Sequence, residues 1–252
     1  MSTRGEGSGS TLSREQALRE LAPSGVLRAG INMSNPLLVT GCTSEGEPEG
    51  IAPDLARALA ELIGAEIRLI PYPSPGLVAD QAPSDTWDIA LIGAEPQRAE
   101  TIAFSPAYAE IKATYLVPAD SKLEDVSQVD AKGIRIASMA RAAYDLWLER
   151  NIRRATVLRE PSVEASFDRF AAEGLDALAG LVPRLASDAA RLPGSRLLKG
   201  QFMTVQQAVG TPRGRIGAAV VIRDFVEDAK RSGFVARLIE RHGVKGLSVP
   251  QD

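Results

Sequence analysis

Asp88-Ile-Ala-Leu-Ile-Gly-Ala-Glu-Pro-Gln-Arg98, followed by Phe104-Ser-Pro-Ala-Tyr108, decides how this chain is read. Residues 89–92 are apolar without alternation, which suits a strand covered on both faces. Gly93-Ala94-Glu95-Pro96 reads as a tight loop, and Arg98 as the start of the next helix. Open α/β sheets bind ligands beyond the carboxyl ends of their strands. A guanidinium there can grip a carboxylate through two parallel hydrogen bonds. Arg98 is therefore a candidate anion clamp, where an arginine elsewhere would be read as a solvated surface charge.

Working outward, helix and strand patterns alternate. Residues 26–31 read as the first strand, followed by Asn32-Met-Ser-Asn35-Pro-Leu. Residues 40–50 are polar and Gly-rich, a hairpin-like excursion. Residues 53–63 form a helix, with Pro53 in its first turn and Gly64 as its stop. Residues 65–72 alternate at period two, as a strand should. A loop with room for a short helix leads to Trp87. Beyond Tyr108, residues 113–117, 133–137, 155–158, 176–181 and 202–209 read as extended. Residues 141–150, 163–172, 184–190, 216–232 and 234–241 read as helices. The rhythm begins at residue 26 and again at 133, which predicts two similar α/β units with mostly parallel sheets. Residues 1 to about 12 read as disordered, and 14–21 as a short helix capped by Ser13.

Composition excludes several function classes. The chain has 252 residues, 44% hydrophobic and 24% charged, with a net charge of −3 and both signs interspersed. That is ordinary globular usage, and nothing in it points to nucleic acid or an anionic membrane. With one cysteine, Cys42, and one histidine, His242, neither an intramolecular disulfide nor a Cys/His metal cluster can form. No cofactor and no metal are expected. No apolar run reaches the length of about 18 residues that a spanning helix needs, and residues 1–10 lack the apolar core of a secretory signal.

The order of these motifs resembles the type 2 periplasmic solute-binding proteins of ABC transporters, in the polar amino-acid-binding branch. The resemblance covers about residues 25–245 and rests on Glu49-Gly-Ile-Ala-Pro-Asp54-Leu-Ala, Trp87-Asp-Ile-Ala-Leu-Ile, Arg98-Ala-Glu-Thr-Ile-Ala-Phe-Ser-Pro-Ala-Tyr108, Gly133-Ile-Arg-Ile-Ala and Gly174-Leu-Asp-Ala-Leu. It implies a two-lobed fold with two crossover strands, lobe 1 comprising residues 25–112 plus 206–252 and lobe 2 residues 113–205, after a tail and short helix over 1–24. It implies a receptor that closes its cleft on a small carboxylate, an amino acid or related organic acid, with Arg98 at the carboxylate-binding position. It further implies a monomer, ABC permease subunits as partners and a periplasmic location. The polar start of the chain leaves a cytoplasmic sensor module of the same fold as the alternative.

The chain departs from that pattern at three places. Gly93-Ala94-Glu95 replaces a Thr-rich approach to the arginine, so Glu95 either sits near the anion or turns away as a helix-start residue. Leu181 stands where many amino-acid binders place an aspartate for the ligand ammonium. The ligand then lacks an α-amino group, or another carboxylate such as Glu95 or Glu160 serves. The second-lobe helix start reads Ser138-Met-Ala-Arg141-Ala-Ala-Tyr144, so Ser138 with nearby N–H groups forms an anion site, with Arg141 as a second guanidinium and Arg184 as a third. The expected ligand contacts are Arg98, Gly93, Ala94, Asn35, Ser138, Arg141, Leu181 and Tyr108. Asn32 and Asn35 have turn capping as their alternative role, and Tyr108 and Tyr115 have packing as theirs.

A few relatives of this fold are dehydratases, which need a general acid in the cleft. The segment Gly180-Leu-Val-Pro-Arg184-Leu carries no carboxylate. His242 sits in a last helical turn, where its charge suits the dipole. Cys42 has no activating neighbour, and Ser105 lies in no nucleophile elbow. A binding protein is expected, with no catalytic residue, and a dehydratase or lyase on the same fold is the weaker alternative.

Overall fold

The computed structural model describes residues 19–251, so the expected tail and most of the helix over 14–21 lie outside the described residues. One hydrogen-bonded ladder organises the molecule. In lobe 1, β1 (Val26–Asn32) runs parallel to both β4 (Glu66–Tyr72) and β5 (Ile89–Gly93). In lobe 2, β8 (Arg135–Met139) runs parallel to both β9 (Thr156–Glu160) and β10 (Ala177–Leu181). Two long strands join them: β12 (Met203–Pro212) lies antiparallel to β5, and β7 (Ala109–Val117) lies antiparallel to both β12 and β10. The order β4-β1-β5-β12-β7-β10-β8-β9, with the short β11 (Arg196–Leu197) antiparallel to β7 off this path, is a two-lobed α/β architecture with two crossovers.

Each parallel set needs cover on both faces, and helices supply it. In lobe 1, α1 (Ile51–Ile63), α6 (Ile216–Arg231) and α7 (Phe234–Arg241) bury Leu55, Leu59, Ile222, Val226 and Leu238 against Leu27 and Ile31. The short α2 (Pro75–Asp80) covers the other face, where Trp87 is fully buried and donates Nε1–H to the Val78 carbonyl at 3.0 Å. In lobe 2, α3 (Ala143–Asn151) packs Tyr144 and Leu148 on one face. On the other, α4 (Val163–Ala172) and α5 (Val182–Arg191) supply Phe167, Phe170 and Leu185. The polar excursion at 40–50 is a two-stranded ladder, β2 (Gly41–Cys42) with β3 (Pro48–Glu49).

One local expectation is corrected. Arg98 does not open an α-helix; residues Arg98–Glu100 form a single 3₁₀ turn. The connection from β5 must return at once as β6 (Ile102–Phe104), which pairs antiparallel with β12, and that leaves no room for a longer helix.

The base of β5 is fixed by a buried charge. Asp88 is fully buried and accepts hydrogen bonds from the Arg28 amide (2.9 Å), Arg28 Nε (2.9 Å) and an Arg215 guanidinium N–H (2.6 Å). Burial pushes the Asp88 carboxyl up, but the bonds from Arg28 and Arg215 outweigh burial and hold it below the usual carboxylate range. With the folded value below the unfolded one, this stabilisation is complete above a pH of about 4 and is lost as pH falls through the folded value. Asp88→Asn strands two guanidiniums, and unfolding free energy at neutral pH should drop by about 3–5 kcal/mol. The variant should also lose less stability than the parent on acidification below a pH of about 4. Urea titrations across the acid range measure both effects.

Candidate functional site

The two lobes meet at the carboxyl end of β5. At Gly93, its last residue, the fit is tight: a Cβ built there would sit 3.2 Å from the Ala143 methyl of lobe 2 and 3.0 Å from Val205. Beside this contact the lobes enclose about 720 Å³, part of it open to solvent. Lobe 1 contributes Asn32, Ser34, Asn35, Gly93 and Arg98 to the lining, and the crossover β12 contributes Val205 and Gln207. Lobe 2 contributes Met139, Tyr144, Val163, Leu178, Leu181, Arg184, Leu185 and Asp188.

Arg98 is 5% exposed. One guanidinium nitrogen donates to the Gly93 carbonyl at 2.7 Å and the other to the Arg141 carbonyl at 2.9 Å, across the cleft. Burial pushes the guanidinium down to about 10, opposed by the nearby charge of Glu95 and reinforced by that of Arg141. It is therefore a cation at neutral pH, and these two bonds use two of its five N–H groups.

A set of interlobe contacts flanks it. Arg141 has a positive φ of 61°, a backbone conformation uncommon for a residue other than glycine. Its amide donates to Asp145 at 2.8 Å, and its guanidinium spans both oxygens of Asp80 in α2 at 2.7 and 2.5 Å. Glu95, 4% exposed, accepts from Arg150 of α3 at 2.5 Å. Lobe 1 carboxylates thus meet lobe 2 guanidiniums twice on this side of the cleft.

On the other side, α5 carries a second charge group. Arg184 Nε lies 3.0 Å from both oxygens of Asp188, which is 1% exposed, and its NH₂ reaches Glu164 at 2.7 Å. Arg191 also donates to Asp188, at 3.3 Å, and its guanidinium carbon sits 4.0 Å from the Phe167 ring centre. Tyr144 stands on the lining with its phenol pushed well up by burial and by the charge of Asp145, so it stays a neutral hydrogen-bonding group.

The residues singled out from sequence divide as follows. Arg98, Gly93, Asn35 and Leu181 line the cavity, as do Asn32 and Arg184. The asparagines also cap turns: Asn32 Oδ1 accepts from the Ser34 amide and hydroxyl, and Asn35 Oδ1 from the Leu37 amide. Four expected contacts lie off the lining. Ala94 donates its amide to the Gln206 carbonyl at 2.7 Å. Arg141 is occupied by Asp80. Ser138 is fully buried on β8, inside the lobe, and Tyr108 is fully buried in the lobe 1 core. Tyr115 packs at 4.6 Å on Phe202. Glu95 turns to Arg150, and Glu160 pairs with Arg169 at 2.6 Å. His242 lies away from the cleft, 2.8 Å from Asp54. Sequence reasoning did not single out Asp188, Tyr144 or Gln207. The four-residue spacing of Arg184 and Asp188 on one helix was the available signal for Asp188. Among the described residues no group of three His, Cys, Asp or Glu side chains gathers to hold a metal, and no helix is long and apolar enough to cross a membrane.

A family model described as bacterial extracellular solute-binding proteins, family 3, matches residues 27–245. A cyclohexadienyl dehydratase of Pseudomonas aeruginosa PAO1 is 28% identical over 168 residues, a match that spans 65% of this chain and 62% of that one. Among solved structures, a variant of ArgBP from T. maritima superposes with a TM-score of 0.73 at 19% identity, covering 90% of this chain and 99% of that one. An ancestral amino acid-binding protein described as a precursor of cyclohexadienyl dehydratase gives 0.72 at 19%, covering 89% and 98%. The cysteine-binding protein of Campylobacter jejuni gives 0.74 at 18%, covering 90% and 92%. At these identities the superpositions speak to the fold.

The two interlobe ion pairs differ in exposure, and that sets their weights. Both partners of Asp80–Arg141 are about half exposed, whereas Glu95 is buried. Asp80→Asn should cost about 0.5 kcal/mol of unfolding free energy, a loss that fades in high salt. Glu95→Gln should cost about 2 kcal/mol and persist in salt. Urea titrations at low and high ionic strength check the order.

Proposed function

The chain belongs to the bacterial extracellular solute-binding proteins, family 3, and from that premise we propose that it is the receptor of an ABC importer, closing its cleft on a small carboxylate gripped by Arg98. The observation that carries this reading is the buried guanidinium on the cavity lining, which has carbonyls but no carboxylate as hydrogen-bond partners. A cation out of water gains most from an anion that completes its hydrogen bonding. Two parallel bonds to a carboxylate use the planar fork of the guanidinium.

The lobes move as two bodies, residues 25–112 with 206–252 and residues 113–205, about the paired crossovers. Closure brings Arg141 and Arg150 onto Asp80 and Glu95, and the closed form is what a permease outside the cytoplasm recognises. Hinge closure over a bound ligand is a common binding motion. Asn35 and Gly93 complete the ligand contacts on lobe 1, and Leu181 and Arg184 on lobe 2. Ala94, Ser138 and Tyr108 act behind the lining, Ala94 by tying the loop to β12 and the other two through the lobe interiors.

A second reading draws on the dehydratase match. On this lining an acid for such a step would have to come from Asp188 or Tyr144. Both oxygens of Asp188 are taken by Arg184, and the Tyr144 phenol is held well up by burial. Binding without turnover is therefore the reading adopted.

Ligands released by mild denaturation can be identified by mass spectrometry, and candidate carboxylates screened by thermal shift. A true ligand raises the melting temperature by mass action. Arg98→Ala should abolish that rise, and Arg98→Lys, which keeps the charge but loses the fork, should weaken binding by about tenfold or more. An unchanged affinity in Arg98→Ala overturns the clamp. Conversion of the bound compound to a new product on prolonged incubation would favour the lyase reading.

A further inference from the structure

We infer that the ligand is a carboxylate with an apolar body and no α-ammonium group; the inference rests on Arg98 gripping a carboxylate. The lining is rich in free donors and poor in free anionic acceptors. Asn32 Oδ1 accepts the Ser34 amide at 3.1 Å and its hydroxyl at 2.8 Å, and Asn35 Oδ1 accepts the Leu37 amide at 3.1 Å. A backbone N–H can only donate, so both side-chain oxygens are turned to the backbone, with two bonds accepted at Asn32 and one at Asn35, and the NH₂ groups are left over. Arg98 adds its three remaining N–H groups.

Among the described residues, Asp188 is the one carboxylate on the lining. Both of its oxygens lie 3.0 Å from Arg184 Nε, and Arg191 adds a third contact. Glu95, the carboxylate nearest in sequence to the clamp, is turned onto Arg150. The end of β10, facing the cavity, is Leu181. An ammonium entering here would leave water without an anion to pair with, in a site that already holds the Arg98 charge. Such burial of an unpaired charge is strongly unfavourable.

The rest of the wall agrees. Met139, Val163, Leu178, Leu185 and Val205 offer an apolar surface for the body of the ligand. The neutral groups Tyr144 and Gln207 can each donate or accept, which suits a hydroxyl or keto oxygen beside the carboxylate. The ligand class is therefore an unsubstituted, 2-hydroxy or 2-oxo monocarboxylic acid with an aliphatic or aromatic body.

Matched pairs test this on the full chain after co-purifying ligand has been removed by unfolding and refolding. Within each of two trios the skeleton is shared and each acid pairs with its amino acid, differing at the α-carbon: L-leucine against 4-methyl-2-oxopentanoate and 4-methylpentanoate, and L-phenylalanine against phenylpyruvate and 3-phenylpropanoate. Affinities are read by thermal shift and calorimetry in the parent, Arg98→Ala and Leu181→Asp. The expected result is that acids lacking the ammonium bind at least about tenfold more tightly than their amino acids, with binding lost in Arg98→Ala. Leu181→Asp should narrow or invert that ratio. Aspartate is favoured at a helix N-cap, the position Leu181 holds on α5, so this variant should fold. Amino acids that bind as tightly as their partners, with binding still dependent on Arg98, overturn the inference and leave the carboxylate clamp standing. If no member of any pair binds at millimolar concentration in an Arg98-dependent way, the clamp and the inference fall together.

Discussion

A guanidinium removed from water must find oxygens, and much of this cleft follows from where Arg98 finds them. One carbonyl comes from Gly93 at the end of its own strand, the other from Arg141 on the opposite lobe. The first requires β5 to end beside Arg98, which the Asp88 charge cluster secures from the far end of the strand. The second requires the loop after β8 to turn its carbonyl toward the cleft, with Arg141 in a left-handed conformation. That backbone cost is offset by bonds to Asp145 and Asp80. The guanidinium proposed to hold a ligand is thus hydrogen-bonded to both lobes at once.

Charge is segregated around the cavity. One flank holds Asp80 with Arg141 and Glu95 with Arg150, pairs that cross between lobes. The other holds Arg184, Asp188, Glu164 and Arg191, all within lobe 2. Each cluster neutralises itself, so the space between them has apolar walls and one cation without a carboxylate partner. Electrostatics of that kind select by sign first and let apolar contact discriminate size and shape.

The two-lobed fold was readable because parallel strands buried on both faces leave continuous apolar runs, such as Ile89-Ala-Leu-Ile92, and the helices between them carry strong caps such as Gly64. Arg98 was readable because it follows such a run. The expected contacts that lie off the lining share one cause. Sequence order places Ser138 and Tyr108 next to ligand-facing positions, but Ser138 is buried on β8 and Tyr108, just ahead of β7, is buried in the lobe 1 core. Arg141 was found as a guanidinium near the cleft, while its partner Asp80 lies 61 residues earlier and on the other lobe. Asp188 escaped notice because its four-residue spacing from Arg184 reads as an ordinary surface pair until α5 is seen to face the cavity. Pairings across a cleft depend on lobe placement, which local pattern does not encode.

The crossovers deserve a mechanical reading. β7 and β12 are hydrogen-bonded to each other between the lobes, from Ala109 with Gln207 to Ala113 with Met203. A paired ribbon of this sort bends and twists easily but resists sliding, because sliding would break the whole register at once. In the closure proposed above, rotation about the ribbon keeps this register whereas shear would not, so such a motion would return Arg141 to the same place opposite Arg98. β13 (Leu247–Ser248) adds a third strand at Glu110 and Ile111, on the ribbon itself. In that proposed motion it would serve as a splint: a two-residue strand remote from the cavity braces the segment about which the lobes would turn.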